Sequence, residues 1–279
     1  MGEALDLIVA PLHYAFMIRG LLAAVMVGVV CAVVGTYIVL RGMAFFGDAL
    51  AHAILPGVAM GYLAGGGERT ILFWWALGAA VLTSLGIGAI SKHTEVKEDT
   101  ATGIIFAGAF ALGIALISTV DSYTVDLTHF LFGDVLGVSP KDLLLTGIFG
   151  GGVLLTVVAF YKEFLVLSFD PILAATLRLS SRFFESLLLV LIAITIVVAL
   201  QTVGVALMVA MLVTPAATAF LLSRRLPVMM GLAAGIAAFS GVAGIYLSYY
   251  YSIASGAAIV LTCTAIFGVV WLVRTLRRA

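Results

Sequence analysis

Charge is the scarcest thing in this sequence. Only 10% of the 279 residues are Asp, Glu, Lys or Arg, whereas 63% are hydrophobic and the mean hydropathy is +1.25. Soluble domains carry about 25% charge, so a water-facing shell around one large core is excluded. Net charge is zero, which offers nucleic acid no electrostatic attraction. Cysteine is limited to Cys31 and Cys263, both within apolar runs and outside any CxxC pair, so neither a disulfide framework nor a soft-metal cluster is expected. No GxxxxGK[ST] stretch exists to cradle ATP phosphates, and no HExxH to build a zinc protease. The N-terminus has no basic leader before its apolar part and does not read as a cleaved signal peptide.

What the sequence has in abundance is long apolar runs. A helix rising 1.5 Å per residue needs about 20 residues to cross the hydrocarbon of a bilayer. Runs of that length predict spans at 17–40, 44–64, 71–90, 102–119, 141–161, 184–200, 204–222, 229–250 and 256–273. The expectation is an all-α polytopic membrane protein with eight or nine transmembrane helices, eight if one neighbour of the tight join at Gln201–Gly204 fails to cross. Residues 5–14 read as an interfacial helix. With no flexible linker and no tandem repeat, residues 1–279 read as a single domain.

Lys and Arg set the orientation, because they are retained on the cytoplasmic side. Placing Arg274, Arg277 and Arg278 in the cytoplasm puts eleven of the fourteen basic residues there, including Lys162, Arg182, Arg224 and Arg225. The C-terminus is therefore predicted to be cytoplasmic and the N-terminus outside.

Against this background a few polar groups stand out. Asp48 and His52, in FFGDALAHAILPG, are four residues apart and share a helix face, with Pro56 one turn further on. A carboxylate near the membrane interior is costly unless it is paired, wetted or bound to a cation. Two readings are open: an Asp–His hydrogen bond that fixes packing, or a cation-binding step on a translocation path. Oxygen and imidazole nitrogen suit Mn²⁺, Fe²⁺ or Zn²⁺, and a two-fold dimer would bring four such ligands together.

Between the fifth and sixth spans, Asp170 and Pro171 carry the N-cap and first-position signals of a short helix. Its apolar residues include Leu173 and Leu177, and it could dock into a groove on a partner or rest on the lipid interface. Asp99 or Thr100 is expected to cap the fourth span. On the outer side Asp121, Asp126, His129 and Asp134 form an acidic stretch, either a cation-attracting mouth or a solvated loop. Thr214 and Pro215 lie inside the seventh span, where a proline kink could shape a pore or only fit neighbouring helices.

Several ordered blocks together resemble the permease subunits of ABC metal-ion uptake systems, the type II importer-like family that takes up manganese, zinc or iron. The blocks are VVGTYIVLRGMAFFGDALAHAILPGVAMGYL (33–63), VKEDTATGIIFAGAFALGIALIS (96–118), FLFGDVLGVS (130–139), SFDPILAATLRLS (168–180) and VGVALMVAMLVTPAATAFLL (203–222). The resemblance covers nearly the whole chain. It implies a homodimer in the bacterial plasma membrane, an ABC ATPase subunit under each copy, and an extracytoplasmic metal-binding protein that delivers the ion. It implies no prosthetic group and no enzymatic activity in this chain, with ATP bound by the partner.

The resemblance also assigns Asp48 and His52 to the pore and residues 169–180 to a coupling helix. Ala51 stands where the family usually has Ser. The KEDTATGIIF block is closer to the manganese and iron branch than to the zinc branch, which favours Mn²⁺, with Zn²⁺ or Fe²⁺ as the alternative. A secondary metal transporter could use the same Asp48/His52 pair, but it would show inverted repeats, and none are visible.

Overall fold

The computed structural model describes residues 9–65, 68–119, 135–169, 174, 176 and 179–277. Among them the chain is helical throughout. The helices are α1 (Ala15–Leu40), α2 (Ala44–Ala53), α3 (Leu55–Gly65), α4 (Arg69–His93), α5 (Glu98–Ile117), α6 (Pro140–Ala159), α7 (Tyr161–Phe169), α8 (Ser181–Val203), α9 (Val205–Leu222), α10 (Leu226–Tyr251) and α11 (Ser255–Leu276). With α2 and α3 taken as one interrupted span, nine helices among the described residues are long and apolar enough to cross a membrane. The tight join resolves into two separate helices with one residue, Gly204, between them. Its φ of 81° is open to glycine and strained for other residues.

Helices suit this composition because they satisfy every backbone amide within one segment, as a bilayer requires. The buried hydroxyls follow the same rule. Thr36, Ser84, Thr195 and Thr218 each donate to a carbonyl three or four residues earlier in their own helix.

The chain forms two compact units. The first comprises Met1–Val39, Leu127–Gly152 and Val198–Ala279. In it α9, α10 and α11 pack on one another, and α1 lies against α10 through paired small residues, Gly28 on Ala237 and Ala24 on Gly241. Small residues allow backbones to approach closely where lipid removes the hydrophobic drive for association. Thr146 and Thr202 share a buried 2.9 Å hydrogen bond. Ser139 and Asp142 form a reciprocal cap on α6, with Pro140 in the first turn: the Ser139 amide and hydroxyl donate to the carboxylate at 3.0 and 2.7 Å.

The second unit comprises Leu40–Asp126 and Val153–Val197. Here α3 packs on α4, with Gly57 against Trp75 and Ala79, and α2 and α3 pack on α5. Lys92 on α4 pairs with Glu185 on α8 at 2.6 Å, and Phe160, Phe164 and Phe184 meet edge to face. The expected cap at Asp99 or Thr100 is corrected. The helix begins one residue before Asp99, at Glu98, with Lys97 at the N-cap and no side-chain cap bond. Glu98 and Asp99 instead occupy the first turn, where negative charge meets the positive end of the helix dipole.

Candidate functional site

The site is built on α2, AFFGDALAHA. Phe46, Gly47, Ala49, Leu50, Ala51 and Ala53 are buried. Phe45, Asp48 and His52, at i, i+3 and i+7, fall on the open side. Small residues on the buried face let the helix lie close to its neighbours and leave the polar pair on the accessible stripe. The Asp48 side chain is 45% exposed and that of His52 28%.

Asp48 Oδ1 and His52 Nε2 are 3.8 Å apart, within ion-pair range but too long for a hydrogen bond. Neither group therefore occupies the lone pairs of the other. An ion bonded to both at about 2.1 Å would see them at roughly 130°, and a small side-chain rotation would bring them to tetrahedral or octahedral spacing. Among the described residues no cluster of three or more His, Cys, Asp or Glu is present. From one copy, this pair offers two side-chain ligands among the described residues.

The helix breaks immediately after the pair. Pro56 has no amide to donate to the carbonyl of His52 four residues earlier, and the amide of Ile54 turns back to that carbonyl instead. Regular α-helix resumes at Leu55. On the other side of the pair stands α5. Phe110 meets the His52 ring at 5.8 Å between centroids, and Phe106 at 6.2 Å. The two phenyl rings stack on each other at 5.8 Å, and Phe45 closes the row against Phe106 at 6.1 Å. The site is thus one carboxylate and one imidazole beside a wall of three aromatic rings. The sequence reading missed Phe106 and Phe110. Their only signal is the i, i+4 spacing in GIIFAGAF.

The remaining expected residues are distributed as follows. Pro215 is buried within α9, and Thr214 is half-buried, its carbonyl accepting from the Thr218 hydroxyl at 2.7 Å. Asp170, Pro171, Leu173 and Leu177 lie outside the described residues, as do Asp121, Asp126, His129 and Asp134. Within the short segment 169–180, Phe169, Ala174 and Thr176 are helical, Leu179 and Ser180 are not, and Ala174 is buried.

Multiple apolar spans, one of them broken beside an acid and an imidazole, define a polytopic membrane protein. The model of the ABC 3 transport family matches residues 13–274, and the chain belongs to that family. It is 47% identical to the manganese transport system membrane protein MntC of Halalkalibacterium halodurans, over 92% of this chain and 86% of that protein. It is 38% identical to a probable iron transport system membrane protein of Haemophilus influenzae, over 94% of this chain and 95% of that one. The solved structure of PsaBC from Streptococcus pneumoniae, in complex with Fab, matches with a TM-score of 0.82 at 38% identity, covering 96% of this chain and 95% of its counterpart. The chain is a multi-pass protein of the bacterial plasma membrane and a permease subunit, with ATP hydrolysis residing in a separate partner subunit.

Proposed function

We propose that this chain is the membrane-spanning subunit of an ATP-driven importer of divalent transition metal, with Mn²⁺ as its cargo. The observation that carries the reading is the Asp48/His52 pair, open on one face and not hydrogen-bonded to each other at 3.8 Å. Relatives named for manganese transport, at 46–47% identity, favour Mn²⁺. A two-fold pair of chains brings four donors to one ion, two carboxylates and two imidazoles, a set that fits Mn²⁺, Fe²⁺ and Zn²⁺ alike. Residues 1–279 act as one permease domain.

In mechanistic terms, an extracytoplasmic metal-binding protein delivers the ion, which exchanges its cage for water and the Asp48/His52 donors. Two ligands per chain hold it weakly enough to leave again, as conduction requires. ATP-driven closure of the partner ATPases pushes on the cytoplasmic helix near 169–180, in which Asp170 and Pro171 start the helix and Leu173 and Leu177 dock. The membrane helices then move between two discrete packings. Pro215, with Thr214 beside it, weakens α9 locally and gives that helix a point of bending.

A relative named for iron transport, at 38% identity, supports Fe²⁺ as the second cargo reading. The test is uptake of labelled Mn²⁺ by the complex reconstituted with its ATPase and delivery protein, with Fe²⁺ and Zn²⁺ as competitors. Mn²⁺ uptake that resists equimolar competitors is expected for the wild type, and no uptake for Asp48→Ala in an intact complex. Normal uptake by Asp48→Ala would place the ion path elsewhere.

A further inference from the structure

After Glu185 the chain contains no further Asp or Glu, while arginine occurs at 224, 225, 274, 277 and 278. Four of these gather at one end of the first unit. There α9 ends at Leu222, α10 begins at Leu226 and α11 ends at Leu276, and the three helices pack on one another. Two of the guanidinium groups are held in place. Arg274 Nη1 donates to the carbonyl of Leu221 in the last turn of α9, and Arg224 lies 4.5 Å above the centroid of the Phe220 ring. Arg225 and Arg277 are exposed. Among the described residues, none of the four has a carboxylate partner.

Like charges held together without a counter-charge repel one another, and more strongly at a membrane boundary than in water. They attract an anion that can accept several forked hydrogen bonds at once, and phosphate does this best. The surroundings distinguish a lipid from a free anion. Leu222, Trp271 and Leu276 adjoin the arginines on the same helix ends, and all are more than half exposed. A soluble phosphate would leave these apolar side chains uncovered, whereas acyl chains would cover them. Trp271 has the amphipathic ring that favours the headgroup level. We propose that Arg224, Arg225, Arg274 and Arg277 form a binding site for the headgroup of an anionic phospholipid, with its acyl chains lying against Leu222, Trp271 and Leu276.

The site is independent of the metal reading and would stand if that reading failed. The test is native mass spectrometry of the detergent-purified full chain, titrated with phosphatidylglycerol or phosphatidylcholine. Retention of phosphatidylglycerol well above phosphatidylcholine is expected, unaffected by millimolar inorganic phosphate. Arg224→Gln with Arg277→Gln should lower that retention by about fivefold per arginine. Lys162→Gln with Arg182→Gln removes the same charge from the other unit and should leave retention unchanged. Equal retention of the two lipids by the wild type overturns the proposal without recourse to any variant. So does displacement by inorganic phosphate, or an equal loss in the two double variants.

Discussion

The ring of Phe110 meets the imidazole of His52 almost at right angles, 80° between planes and 5.8 Å between centroids. An edge-to-face contact of this kind restricts the imidazole and is worth about 0.5–1.5 kcal/mol. Phe110→Ala should release the ring, so that metal binding has to order it. The expected result is a rise of about fivefold in KM for metal uptake with little change in the maximal rate, corresponding to about 1 kcal/mol of side-chain ordering. Phe110→Tyr keeps the ring and should restore the wild-type KM. Uptake kinetics in reconstituted vesicles would check both.

Pro56 keeps α2 and α3 apart by removing one amide. Pro56→Ala supplies that amide and allows the His52 carbonyl an ordinary helical partner. The chain should then be as stable as the wild type or more so, because an alanine helix is favourable where proline is not. Transport should fall, because the two halves of the span would move as one. Thermal unfolding in detergent, measured beside uptake, separates these effects; unchanged uptake would deny the break a role.

Gly35 is pressed against the backbone of Leu212, and a Cβ at that position would collide with the Leu212 carbonyl. Backbone cannot step aside as a flexible side chain can. Gly35→Ala should therefore cost about 3 kcal/mol, at the upper end of overpacking penalties. Gly78→Ala meets open space and is the control. The folded fraction after solubilisation and the midpoint of thermal unfolding would report the difference.

The Lys92–Glu185 pair joins α4 to α8 at 2.6 Å, but each side chain is 29% exposed. Solvent screening limits such a pair to about 0.5–1 kcal/mol. A double-mutant cycle with Lys92→Met and Glu185→Gln should give a coupling energy in that range at low salt and less at high salt. A coupling several times larger would mean that the pair is drier than its exposure implies.

Most of the fold was legible because a lipid solvent allows few solutions. A run of some twenty apolar residues has to be a helix, and nearly every predicted span lies within a few residues of an observed helix. Interruptions were harder to read. On the sequence Pro56 reads as a neighbour on the face of His52, whereas in the fold its missing amide breaks the span after His52. At Gly204 the choice between eight and nine helices depended on one residue with positive φ. The sequence predicts a cap at Asp99 or Thr100, whereas α5 starts at Glu98 with no side-chain cap bond and with Glu98 and Asp99 in its first turn. Asp48 and His52 were conspicuous because polar groups are rare here. Phe106 and Phe110 were not, since in a chain so rich in apolar residues an aromatic that lines a site reads like one that faces lipid.

The break after His52 also has a mechanical meaning. The segment that carries both donors is ten residues long, or about 15 Å of helix. Pivoting that rod by roughly 10° at the break carries Asp48, about 9 Å away along the helix, by about 1.6 Å, while His52 beside the break moves by only about 0.5 Å. The carboxylate therefore swings about three times as far as the imidazole for the same rotation, with the hinge serving as a short crank.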